Sequence, residues 1–146
     1  MGMPSPDARV ETMELIIGNR SEELQRVTQA VDELIARHRL PDPALNMQIA
    51  LDEVLSNIVN YAYDNGAKHQ IRIRLSVYAD AIEAEVEDDG PEFDPLSAAE
   101  PSSAHGFLER KPGGAGIRVV KRMMSQVAYR RVADCNRLQL RIRFER

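Results

Sequence analysis

Cysteine is nearly missing from this sequence. Cys135 stands alone, so no disulfide can form within the chain, and a thiol in a reducing cytoplasm is the expectation. His38, His69 and His105 are scattered, and no Cys or His neighbours them at zinc-ligand spacing. No apolar run approaches the roughly 18 residues of a membrane span. Positive charge is not in excess: the net charge of -4 argues against direct binding to nucleic acid. The start, MGMPSPDARVE, lacks the basic-then-apolar pattern of a secretion signal and reads as a flexible tail over residues 1–11. Without repeats or a linker, residues 12–146 read as one domain, long enough to bury a core.

What is there alternates between two periodicities. TMELIIG (Thr12 to Gly18) is a strand ending at glycine. Ser21 can cap a helix with Leu24, Val27, Val31, Leu34 and Ile35 on its apolar stripe, running to about His38. Asp42 as N-cap and Pro43 at the first helical position start a second helix, which stops near Asn65-Gly66. QIRIRLSVY and AIEAEVEDDG then alternate as two strands of a hairpin. A Pro/Ser/Ala-rich stretch from Pro91 to Pro112 is long for a loop in a compact domain. GGAGIRVVKRMMSQV opens on glycines and continues as a helix with Ile117, Val120, Met123, Met124 and Val127 at helical spacing; VAYRRV and RLQLRIRF close the chain as strands. Hairpin-joined strands with one apolar face, covered by three helices, predict an α+β two-layer sandwich with a mostly antiparallel sheet.

A local absence carries chemistry. From Pro41 to Ala67 there is no Lys or Arg, yet Glu53, Asn57, Asn60 and Asp64 fall within about 60° of one another around a regular helix, with Leu51, Leu55, Ile58 and Ala62 opposite. A solvated face is the plain reading for an average helix, but solvated faces usually mix signs, which weakens that reading here. An uncompensated acid-and-amide stripe also suits magnesium, which prefers oxygen ligands, or a general base. Strand alternation puts Asp88 on the inward side with Ile82, Ala84 and Val86, where a carboxylate needs a partner. Asp-Gly after a strand is also a common turn. Glycines before the third helix can converge backbone N–H groups on an anion, with Arg110, Lys111, Arg118, Lys121 and Arg122 nearby; a hinge is the alternative. The Lys-Ser/Thr pair of a P-loop is lacking.

Taken in order, E-x-x-x-N on a helix, D-x-G after a strand, a long loop and G-G-x-G at a helix start resemble the Bergerat-type ATPase fold shared by gyrase, Hsp-type chaperones, histidine kinases and MutL. Within it, DEVLSNIVNYAY, VEDDGPEFDP and GGAGIRVVKRMM look like segments of the bacterial anti-sigma-factor serine/threonine kinases, over Met13 to Phe144. The resemblance implies ATP and Mg2+ as cofactors. It makes Glu53 the general base, Asn57 the magnesium ligand, Asp88 the acceptor for the adenine amino group and Gly90 the residue that clears room for the base. Gly113, Gly114, Ala115, Gly116 and Ile117 would form the phosphate-side segment, and Pro91 to Pro112 the lid, from which Arg110 or Lys111 would reach the γ-phosphate. Tyr61 stands where members often carry His.

Such kinases are typically homodimers that hold a sigma factor and phosphorylate a serine on a small STAS-type anti-anti-sigma antagonist. The alternative is a non-catalytic module whose partner binding is gated by nucleotide. Arg72, Arg74, Arg141 and Arg143, on the outer sheet face, are either a docking surface or a solvated face beside Glu83, Glu85 and Glu87.

Overall fold

A computed structural model describes residues 8–62, 68–96 and 114–145. Five strands form one sheet: β1 (Arg9–Gly18), β2 (Gln70–Tyr78), β3 (Ala81–Asp88), β4 (Gln126–Val132) and β5 (Cys135–Arg143). Their order is β1-β2-β3-β5-β4, and every neighbouring pair is antiparallel. Three helices, α1 (Leu24–His38), α2 (Asn46–Asn57) and α3 (Gly114–Met123), complete the predicted α+β sandwich. The first strand starts at Arg9, so pairing with β2 claims three residues read from sequence as tail. No helix among the described residues is long and apolar enough to cross a membrane.

The alternating strands bury one face. Ile71, Ile73, Leu75 and Val77 of β2, Ile82, Ala84 and Val86 of β3, and Leu138, Leu140 and Ile142 of β5 meet Val27, Val31 and Leu34 of α1, Met47, Leu51, Val54 and Leu55 of α2, and Ile117 and Val120 of α3 in one core. Each buried Val, Leu, Ile or Met among them contributes roughly 1.5–3 kcal/mol. On the opposite face arginines pair with glutamates across strands: Arg74 with Glu14 at 2.8 Å, Arg72 with Glu87 at 3.7 Å, Arg141 with Glu83 at 2.7 Å. Arg72 and Arg74 show the cross-strand pairing expected of a solvated face, whereas the Arg141–Glu83 pair is largely buried.

Helix starts depart from the expected caps. Ser21 makes no capping bond; it opens a 3-10 turn, Ser21–Glu23, closed by the Glu23 N–H donating to the Arg20 carbonyl. Asp42 likewise lies inside a 3-10 turn, Asp42–Leu45, whose N-cap is Pro41, and the Ala44 N–H donates to the Pro41 carbonyl at 2.9 Å. In both places a backbone bond satisfies the donor that a side chain was expected to take. At the other end of α2 the chain widens into a π-helical turn, Ile58–Ala62. The predicted stop at Asn65-Gly66 lies outside the described residues. Val127, expected on the last helix, belongs to β4.

Candidate active site

A cavity of about 250 Å³ opens where the helix layer meets the ends of β3 and β5. Val54, Asn57 and Ile58 come from α2 and the turn after it, Val86 and Asp88 from β3, Ile117 from α3, Tyr129 from β4, and Asn136 and Leu138 from β5; Pro91, Glu92, Phe93 and Pro95 close one side. Apolar walls with a few convergent polar groups are the usual make-up of a small-molecule site.

Asp88 is the buried charge of this cavity, 6% exposed, as its inward strand position required. Its Oδ1 accepts two hydrogen bonds, from the Gly90 N–H at 2.9 Å and from Asn136 Nδ2 at 3.1 Å. The first is the Asp-x-Gly turn, so the turn and the inward carboxylate are the same feature. Desolvation pushes the Asp88 pKa above the usual aspartate value, against the pull of those two donors. Gly90 is itself buried and fixed, its carbonyl accepting from Arg131 at 2.8 Å.

Asn136, which the motif reading passed over, is the hub of the site. It is 7% exposed and pairs in register with Asp88 on the last rung of the β3–β5 ladder. Besides Asp88, its Nδ2 donates to the Pro91 carbonyl at 2.8 Å. Its Oδ1 accepts from the Phe93 N–H at 3.1 Å, the Tyr129 hydroxyl at 2.5 Å and Arg131 at 3.2 Å. Donors surround the oxygen and acceptors the nitrogen, so only one orientation of the amide satisfies its neighbours. The signal is in the sequence: alternation carried back from Leu140 and Leu138 puts Asn136 on the inward face, one residue before the segment RLQLRIRF begins, and β5 in fact starts at Cys135.

On α2, Glu53 and Asn57 lie one turn apart, and Asn57 Nδ2 donates to Glu53 Oε1 over a long 3.4 Å. Both are half-buried at the edge of the helix layer. Asn60 is exposed, beyond the point where the π-helical turn breaks the uniform angle that had grouped it with them, and Asp64 lies outside the described residues. Among the described residues no three His, Cys, Asp or Glu side chains gather to hold a metal. Asn57 still fits magnesium, an ion that takes few protein ligands and completes its shell with water and phosphate oxygens.

The glycine segment opens α3 at Gly114, with Ala115, Gly116 and Ile117 in its first turn. The first backbone N–H groups of a helix have no partner within it, which suits phosphate oxygens. Gly113, Arg110, Lys111 and the lid beyond residue 96 lie outside the described residues. Lys121 and Arg122 fall in the last turn of α3, two turns from the glycines, so they are not part of the positive charge expected beside them. Lys121 Nζ instead donates to the Leu96 carbonyl at 3.1 Å.

A family model described as histidine kinase-like ATPase domain matches residues 17–142. The chain belongs to that family. Curated relatives include the serine/threonine-protein kinase BtrW of Bordetella bronchiseptica, 30% identical over 94 residues that cover 64% of this chain and 66% of BtrW. The serine-protein kinase RsbW of Halalkalibacterium halodurans is 28% identical over 127 residues, covering 80% of this chain and 74% of that protein. The RsbW of Bacillus subtilis is 29% identical over 92 residues, 59% of this chain and 56% of the relative. The match to BtrW thus spans just under two thirds of that protein, and the match to the Bacillus subtilis RsbW little more than half.

Proposed function

We propose that this chain is an ATP-dependent protein serine/threonine kinase of the anti-sigma type. It holds a sigma factor, and it phosphorylates a serine or threonine on a STAS-type anti-anti-sigma antagonist, acting as a homodimer in the cytoplasm. The observation that carries the reading is a buried Asp88 with one oxygen committed to its own turn and to Asn136, in a cavity lined also by Asn57 and by Ile117 of the first turn of α3, with Glu53 bonded to Asn57. The second Asp88 oxygen is the acceptor for an adenine amino group. Relatives named as serine-protein kinases support the reaction type.

In this reading the cavity walls, Val54, Ile58, Val86, Ile117 and Leu138, exclude water from the base. Glu53 accepts the proton of the substrate hydroxyl as its oxygen bonds to the γ-phosphorus and the bond to the leaving diphosphate breaks. Asn57 holds Glu53 by hydrogen bond and is the magnesium ligand. Magnesium, when bound, supplies charge screening among the phosphates.

The test is transfer of labelled phosphate from ATP to a cognate antagonist. Transfer by the unaltered protein, reduced at least 100-fold by Glu53→Ala with nucleotide affinity kept, is the expected outcome, in line with the 10²–10⁴-fold typical of a general base. Tight nucleotide binding with no transfer would replace the kinase with a nucleotide-gated binding module.

A further inference from the structure

Gly116 sits inside the first turn of α3 and in a helical conformation, so its torsion angles do not demand glycine. Glycine at such a position weakens a helix, and another residue would serve the fold better. Its surroundings supply a reason for it. A Cβ built on Gly116 would overlap the Glu53 carboxyl group and would crowd Glu53 Cγ at 2.8 Å. The Glu53 carboxyl group therefore occupies the space that a Cβ at position 116 would take. The Asn57 amide donates to the same Oε1 at 3.4 Å.

Glu53 is thus held between one residue of its own helix and one of α3. We infer that Gly116 is a positioning residue for Glu53: its missing side chain is the seat in which the catalytic carboxylate is held. This rests on the kinase reading for its consequence, and on the packing alone for the contact.

Glu53 and Gly116 are 63 residues apart in the chain. Backbone presentation to phosphate, the usual use of a glycine here, does not need position 116 to lack a Cβ on the side of Glu53. The two uses can therefore be separated by substitution. The atoms an added methyl would meet are the far end of a flexible chain, so Gly116→Ala should fold and push the carboxylate aside.

The experiment is a double-mutant cycle of Gly116→Ala and Glu53→Ala on the full chain, read by ATP affinity, phosphotransfer and melting temperature. Gly116→Ala alone should leave ATP affinity within about 3-fold and slow transfer by roughly 30-fold or more, the scale set by misplacing a general base. In the Glu53→Ala background the three nearest atoms the added methyl would meet are gone. There the substitution should raise the melting temperature, whereas in the unaltered protein it should lower it or leave it flat. A comparable loss of ATP affinity in both backgrounds would overturn the inference and return Gly116 to a direct phosphate role. The same melting change in both backgrounds would overturn it too. Absence of transfer in the unaltered protein would fail the kinase reading instead, and the melting comparison would still decide the contact.

Discussion

At the scale of single residues, Asp88 sets what the cavity accepts. Guanine presents an acceptor where adenine presents an amino donor, and a buried carboxylate facing an acceptor is left unpaired at a cost of about 2–5 kcal/mol. ATP should therefore bind at least about 30-fold more tightly than GTP. Asp88→Asn keeps an oxygen for the Gly90 and Asn136 donors but turns an N–H toward the ligand, so ATP affinity should fall and the preference over GTP should collapse. The folded protein need not suffer. Burial raises the Asp88 pKa above its unfolded value, so the native state binds the proton more tightly. The stability this contributes is present below the unfolded pKa and is lost as pH rises through the folded one. Asparagine removes that loss, and the variant should melt at or above the temperature of the unaltered protein near neutral pH. ATP affinity of the unaltered protein should weaken on acidification before an ordinary aspartate would protonate. Calorimetric titration with both nucleotides across pH checks all of this, and equal ATP and GTP affinities would remove Asp88 from the adenine role. Asp88, Glu53 and Asn57 were legible because each depends only on the local period of its strand or helix. The seat at Gly116 was not, since nothing in either segment announces the other.

At the scale of elements, the site depends on where β5 enters the sheet. The β4–β5 hairpin turns through Ala133 and Asp134, both in the left-handed region at φ 50° and 64°, a pair of torsions that tight hairpins use and that disfavours most side chains. That turn pairs Val132 with Cys135, and on its other edge β5 pairs with β3 so that Asn136 stands opposite Asp88. Asn136→Ala would strip partners from the Pro91 carbonyl, the Phe93 N–H and the Tyr129 hydroxyl together. Leaving buried groups unsatisfied costs about 1–3 kcal/mol and these are only partly buried, so the denaturant midpoint should drop by an amount at the low end of that range, with ATP affinity down roughly 10-fold. Amide exchange at Phe93 should accelerate; unchanged protection there would show that the segment is held by something else. Element type and order were legible from periodicity. Element ends were less so: 3-10 turns closed by backbone bonds replaced the caps that Ser21 and Asp42 advertise, and the π-helical turn after Asn57 separated Asn60 from the stripe to which a uniform helix had assigned it.

At the scale of the whole molecule, the two faces of the sheet do different work. The outer face carries ion pairs that range from exposed, as in Arg74 with Glu14, to largely buried, as in Arg141 with Glu83, and the exposed ones contribute at most about 1 kcal/mol each. The inner face carries the core, and the cavity lies at its open end, walled by α2 and α3 above and by β3 and β5 below. A ligand seated there touches both layers and has no equivalent site in the unfolded chain, so its binding free energy adds to stability. At an ATP concentration 100 times the dissociation constant the gain is about 2.7 kcal/mol. For a chain of this size that is a rise in melting temperature of roughly 8 °C. Sodium chloride at about 0.5 M screens the outer ion pairs, and it should move the same transition far less. The decisive comparison is thermal melting of the unaltered protein and of Asp88→Asn, each with and without saturating magnesium-ATP, at low and high salt. The nucleotide shift should vanish in Asp88→Asn while the small salt shift stays. A salt effect larger than the nucleotide effect would mean that the paired outer face, rather than the helix layer over the cavity, dominates the stability of the fold.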